Sequence, residues 1–238
     1  PTTPADQFTY SYSGAILADT PNIYYRLGES AGTVATDSSG NAHDATYAAS
    51  GVTLGVAGAI VNDTNTAITL DGTAGSVQET SGAGVPVGFA NRSVEAWFKT
   101  TTTTAMPIVA YGSPGIANQY FGVYVHDTAI EVQTGAGTTI TFPGTASLSD
   151  GAWHHLVVTY DSGAIAGNLK VYIDGGSFGT QTPAALFDTT LDAAGLEVGK
   201  DDTVTTAFFN GSLDEVAVYA TVLATYQVSN HYKAGTGT

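Results

Sequence analysis

Residues 150–175 read DGAWHHLVVTYDSGAIAGNLKVYIDG, and their pattern decides the fold. Leu156, Val158 and Tyr160 alternate with His155, Val157 and Thr159, and further on Leu169, Val171 and Ile173 alternate with Lys170, Tyr172 and Asp174. A period of two belongs to a β-strand, whose successive side chains point to opposite faces. A glycine-bearing loop joins the two runs and an Asp-Gly pair closes the second, which makes the stretch a hairpin followed by a tight turn. One row of side chains faces a core and the other is exposed or faces a groove, so the chain builds a layered β-sheet.

The same signals extend in both directions. AITLDG at 67–72 runs into another Asp-Gly turn, and strands are predicted at 93–100, 106–111, 119–126, 128–133 and 138–142 between Gly, Pro and Thr clusters. ALFDTT at 185–190 and LEVGK at 196–200 add short strands. Such regular spacing marks a sandwich or barrel. Helix signals are few. A turn of helix is expected after Asp19, Thr20 and Pro21, leading into a strand with Tyr24, Tyr25 and Leu27. A terminal helix over ATYQVSNHYK at 224–233 is expected to begin at Thr225, because Ala224 cannot cap, and to end at Gly235.

The chain has 238 residues, 43% hydrophobic and 11% charged, ample for the core of one all-β domain. A formal net charge of -15 repels nucleic acid and anionic membrane surfaces and leaves cations, neutral glycans and proteins as partners. There is no cysteine, which fits an extracellular, cell-surface or virion-surface setting. No stretch is apolar enough for membrane insertion, and no basic-then-apolar export signal opens the chain.

Together with SVEAWFKT at 93–100 and FNGSLDEVAVY at 209–219, the hairpin resembles the laminin-G-like group of concanavalin A-like domains, in order over roughly residues 14–235. The resemblance implies an all-β jelly-roll sandwich of two antiparallel sheets with a short C-terminal helix. It also implies a calcium ion held by the loop DSSGNAHDA at 37–45, with ligands Asp37, Gly40, Asn41 and His43, completed by Asp214. Two glycines of the family loop are replaced here by Ala42 and Ala45, which puts its geometry in question, and Asp44 could replace a carbonyl. An Asx-rich turn without metal is the other reading. TTPADQFTY at 2–10 resembles the last strand of IPT/TIG domains, which implies that residues 1–13 are a linker or the end of an upstream module, with the jelly roll at 14–238. An ordinary edge strand is the alternative.

Catalytic patterns are missing from the sequence. The Glu-x-Asp-x-x-Glu run of related β-glucanases does not occur, nor does a nucleophile elbow or a zinc-protease helix. His154 and His155 are strand neighbours on opposite faces, so they cannot chelate one ion, and are read as structural. For binding, Tyr111, Tyr120, Tyr124 and His126 lie on neighbouring strands, and Tyr120, Tyr124 and His126 share parity, so they could line one face for a sugar or serve as core. The expected function is a non-catalytic recognition or adhesion module for carbohydrate or a surface protein, within a larger protein or assembly. The alternative is a decoration or spacer module of a phage or surface assembly with no soluble ligand.

Overall fold

A computed structural model describes residues 11–202 and 207–238, and the strand expected at 2–10 lies outside them. In chain order the elements are α1 (Tyr12–Ala18), β1 (Ile23–Tyr25), β2 (Val34–Ala35), β3 (Ala45–Tyr47), β4 (Val52–Ala57), β5 (Thr66–Asp71) and β6 (Val77–Glu79). Then come β7 (Arg92–Lys99), β8 (Met106–Gly112), β9 (Tyr120–His126), β10 (Ala129–Gly135), β11 (Thr138–Pro143) and β12 (His154–Tyr160). The rest are β13 (Leu169–Ile173), β14 (Gly176–Gln181), β15 (Leu196–Val198), β16 (Lys200–Asp201), β17 (Ala207–Phe208), β18 (Asn210–Tyr219) and α2 (Thr225–Thr236).

Among the described residues the first sheet has the order β14-β13-β12-β7-β18-β5-β4, with β1 also on β18, and the second β11-β10-β9-β8-β15-β6-β3-β2. The pairings are antiparallel, and closing strand β18 sits between β7 and β5, which joins chain ends in one sheet. This is the expected jelly-roll sandwich. The hairpin of 150–175 pairs as read, Leu156 with Ile173 through Tyr160 with Leu169. Asp174 and Gly175 both have positive φ, the geometry of a two-residue turn matched to strand twist.

Inward rows of both sheets, such as Val94, Ala96 and Phe98 on β7, Leu156 and Val158 on β12, and Phe121, Val123 and Val125 on β9, form the main core. Each large side chain there contributes roughly 1.5–3 kcal/mol by leaving water. The outward row of the first sheet is not solvated. Trp97, Val157, Tyr172, Ala217 and Tyr219 form a second core with Tyr12 and Ile16 of α1 and Val228 of α2. β7 and β12 are therefore buried on both faces, which strand periodicity alone could not show.

Helix α1 differs from expectation. It precedes Asp19 rather than following Pro21, with Ser11 accepting from the Gly14 N–H at its start, and Thr20 takes a positive φ that ends any helical path. Burial of Tyr12 and Ile16 stabilises seven residues that local propensity would not hold. α2 begins at Thr225 as expected, and Gln227 reaches back to the Ala224 N–H at 2.7 Å, the half of a capping box that needs no hydroxyl. It passes through Gly235 and ends at Gly237, φ 71°. Gly235 lies against Trp97, where a Cβ would come within 2.5 Å of the indole, so its role is close approach rather than termination. ALFDTT makes only a single bridge, Thr189 with Gly88. Among the described residues no helix is long and apolar enough to cross a membrane.

Candidate functional site

The loop at 37–45 is organised by Asp37. One carboxylate oxygen accepts from the Tyr24 and Ser39 N–H groups, both at 2.9 Å, and the other from Ser39 Oγ at 2.8 Å and the His43 N–H at 3.0 Å. Burial works against its charge, but these bonds from His43, Ser39 and Tyr24 outweigh it and hold the carboxyl below its usual range. The Asn41 amide donates to the Pro21 and Asn22 carbonyls at 3.3 and 3.0 Å, and the His43 carbonyl accepts from Tyr25 Oη at 2.7 Å. Gly40 and Ala42 both have positive φ, which costs the alanine about 1–2 kcal/mol, whereas Ala45 lies in extended β3.

Asp37, Gly40, Asn41 and His43 thus share one loop. Asp214 belongs to a bulge in β18, where Oδ2 accepts from the Ala59 N–H at 2.8 Å and buried Oδ1 has no hydrogen-bond partner. Burial and the neighbouring Glu215 charge push the Asp214 carboxyl well up, toward the neutral form. A carboxylate has about four acceptor positions, and in Asp37 all are filled by protein donors. Hydrogen bonds from the protein thus close the loop around Asp37, while Asp214 Oδ1 is a buried oxygen without such a bond. A thermal melt with excess chelator is expected to match one with added calcium; a higher midpoint in calcium would show that the folded chain holds the ion.

The tyrosines divide. Tyr111 points into the core, 1% exposed, beside Phe121. Tyr120 and Tyr124 lie on the outer face of the second sheet, as their parity requires, but are only 2% and 3% exposed. Their rings cover Gly122, their hydroxyls meet at 3.2 Å, and Tyr124 donates to Asp201 of β16. They form the floor of this face rather than offering a free ring to a sugar. His126, 47% exposed, pairs with Glu131 Oε1 at 2.8 Å on the same surface.

A polar strip continues from there. Register places Glu131 between Tyr124 and Thr141, and Gln133 between Gly122 and Thr139. On the far side of the tyrosines Glu197 of β15 is pushed up to about 7, chiefly by burial, while it accepts from the Asp202 N–H at 3.1 Å. The strip offers carboxylate, amide and hydroxyl groups side by side, suited to hydrogen-bonding hydroxyl-rich ligands.

Sequence reasoning missed a buried cluster beneath the helices. Glu95 of β7, fully buried, accepts from Tyr12 Oη at 3.0 Å, His155 Nε2 at 2.7 Å, Tyr219 Oη at 3.0 Å and His231 Nδ1 at 3.0 Å. His231 Nε2 in turn meets Asp19 at 3.0 Å, so both ring nitrogens face carboxylates. Burial opposes the charge on His231, but Glu95 and Asp19 hold its pKa above the ordinary value. The available signal was the lone Glu in SVEAWFKT, an acid within an apolar strand. A neighbouring cluster joins Glu215 to Arg26 at 2.9 Å, Arg26 to Asp63 at 2.7 Å, and Tyr24 to Glu215. Among the described residues no three His, Asp or Glu side chains are grouped to hold a metal ion.

Comparison with known proteins gives a consistent picture. Residues 71–229 match the family model described as the concanavalin A-like lectin/glucanases superfamily. Among solved structures, domain 4 of AbnA, an extracellular arabinanase from Geobacillus stearothermophilus, in complex with arabinotriose, is 19% identical with a TM-score of 0.63, over 90% of this chain and 98% of that one. The receptor-binding domain of botulinum neurotoxin C/D mosaic serotype is 14% identical with a TM-score of 0.63, over 90% of this chain and 51% of that one. Trypanosoma rangeli sialidase in complex with sialic acid is 14% identical with a TM-score of 0.60, over 88% and 32%. This chain spans about half the length of the toxin domain. No curated protein matches the sequence.

Proposed function

Because this chain belongs to the concanavalin A-like lectin/glucanase superfamily, we propose that it is a non-catalytic recognition module that binds carbohydrate outside the cell, within a larger secreted or surface-exposed protein. The observation that carries the reading is the asymmetry of the sandwich. Helices α1 and α2 cover the outer face of the first sheet, while the second sheet presents the strip of Glu131, Gln133, Thr139 and Thr141 beside the buried Tyr120 and Tyr124. The arabinotriose complex of AbnA domain 4 supports a saccharide as ligand, and the net charge of -15 favours a neutral one.

The carboxylates of this face support binding without cleavage. Glu131 is paired with His126 and Asp201 with Tyr124, which leaves Glu197, its Oε2 bonded to the Asp202 N–H and its Oε1 3.7 Å from Lys200 Nζ, without an unpaired second carboxylate, whereas glycoside hydrolysis needs an acid and a base at the scissile bond. Titration calorimetry against neutral oligosaccharides tests the site. Gln133→Ala, which deletes only partly exposed amide groups, is expected to weaken binding about tenfold with no change in unfolding midpoint. Equal affinity in wild type and variant would remove this strip as the site.

A further inference from the structure

The opposite outer face of the molecule carries a furrow of about 1150 Å³ between α1, α2 and residues 60–63. We infer that this furrow is a second, independent saccharide site, for a neutral oligosaccharide. Its floor is apolar and buried, with Tyr12 and Ile60 beside the edge of His231. At its rim stand Tyr226, 67% exposed, and the exposed amides of Asn62 and Asn230. Among the described residues the side chains of Tyr226, Asn62 and Asn230 have no hydrogen-bond partner, although each lines the same concavity.

The chemistry of these groups selects the ligand class. An amide donates and accepts at once, as a sugar hydroxyl does, and an exposed phenol ring gives an apolar surface to the C–H face of a pyranose or furanose. The lining mixes apolar Ala15, Ala18, Ile60 and Val61 with amide, hydroxyl and charged groups, a mixture matched to a ligand that has both C–H faces and hydroxyls, and the volume exceeds the ordinary range of roughly 300–1,000 Å³, which favours several sugar rings over one.

Other ligands fit less well. The bordering acids are already engaged, Asp19 with His231 and Asp63 with Arg26, so a basic peptide would find no free carboxylate there. Lys233 lies in the last turn of α2, where it complements the helix dipole, and with the overall charge of -15 it gives an anionic sugar little net attraction.

The test is NMR titration of the full chain with maltotriose, cellotriose and arabinotriose, following the side-chain amide signals of Asn62 and Asn230. At least one trisaccharide is expected to move both signals saturably. Tyr226→Ala should weaken that response tenfold or more with no shift in unfolding midpoint, and Gln133→Ala should leave it intact. Asn62 and Asn230 signals that stay fixed while binding dependent on Gln133 persists would overturn this site alone. Silence at both faces would overturn it together with the function proposed above. Movement produced by a lysine-rich peptide and by none of the sugars would also overturn it.

Discussion

Glu95→Ala is expected to lower stability at pH 6 by about 3–5 kcal/mol, because it removes one partner from a fully buried ionic cluster and strands the others. For a domain of this size that is a fall in midpoint of roughly 10 °C. The loss should also change the pH profile. Burial disfavours the Glu95 charge, yet His231 and His155 outweigh it and hold the carboxyl far below its usual range. A depressed carboxyl contributes stability that is present above its unfolded pKa of about 4.3 and is lost as pH falls toward the folded value. His231 is raised, so its contribution is complete below about pH 6.5 and is lost as pH rises through the folded pKa. Wild type should therefore be most stable between these limits as far as this pair is concerned, and the variant should lose the acid limb and keep only the part of the alkaline limb that Asp19 supports. Urea denaturation at pH 3, 6 and 9 measures this. An unchanged pH profile in Glu95→Ala would contradict the assigned charges.

Arg92→Ala is expected to cost about as much, 3–5 kcal/mol or so, by a different route. Its guanidinium is fully buried and donates to the Ala90 carbonyl at 3.1 and 3.0 Å, the Gly88 carbonyl at 2.8 Å and Thr189 Oγ1 at 2.6 Å. It lies 5.4 Å from the centre of the Phe121 ring and 5.6 Å from that of Tyr160. Among the described residues it has no carboxylate partner, so carbonyl oxygens and ring faces hold the charge. Deleting it leaves a cavity and unsatisfied carbonyls together. Arg92→Lys should recover little, because an ammonium on a flexible stem cannot make this planar set of bonds. The segment it anchors reaches the second sheet, since the Thr190 N–H donates to Gln119, next to Tyr120. Faster amide exchange at 186–190 in Arg92→Lys would follow; full retention of stability would show that the cage contributes little.

The sheets were legible because their inward rows, such as Leu156, Val158 and Tyr160, alternate over enough residues to outweigh local noise. The same alternation could not reveal that His155 and Val157 are also buried, since the cover comes from helices at residues 12–18 and 225–236. α1 was misplaced because YSGAILA carries a weak local signal and owes its order to Tyr12 and Ile16 against the sheet. Parity put Tyr120, Tyr124 and His126 on one face, but exposure depended on Asp201, which approaches from 77 residues downstream of Tyr124. Glu95 and His231 are separated by 136 residues, so nothing local links them. In the 37–45 loop the resemblance supplied the residues, whereas the donors that fill the Asp37 carboxylate come from backbone geometry.

The central claim is binding without cleavage, and the most direct measurement is to incubate the chain with a panel of neutral oligosaccharides while recording both retention and newly formed reducing ends. The account predicts saturable retention of at least one of them with no new reducing ends over days. Release of reducing ends that disappears on Glu197→Gln, the carboxyl on the proposed face with its pKa pushed up to about 7, would contradict it.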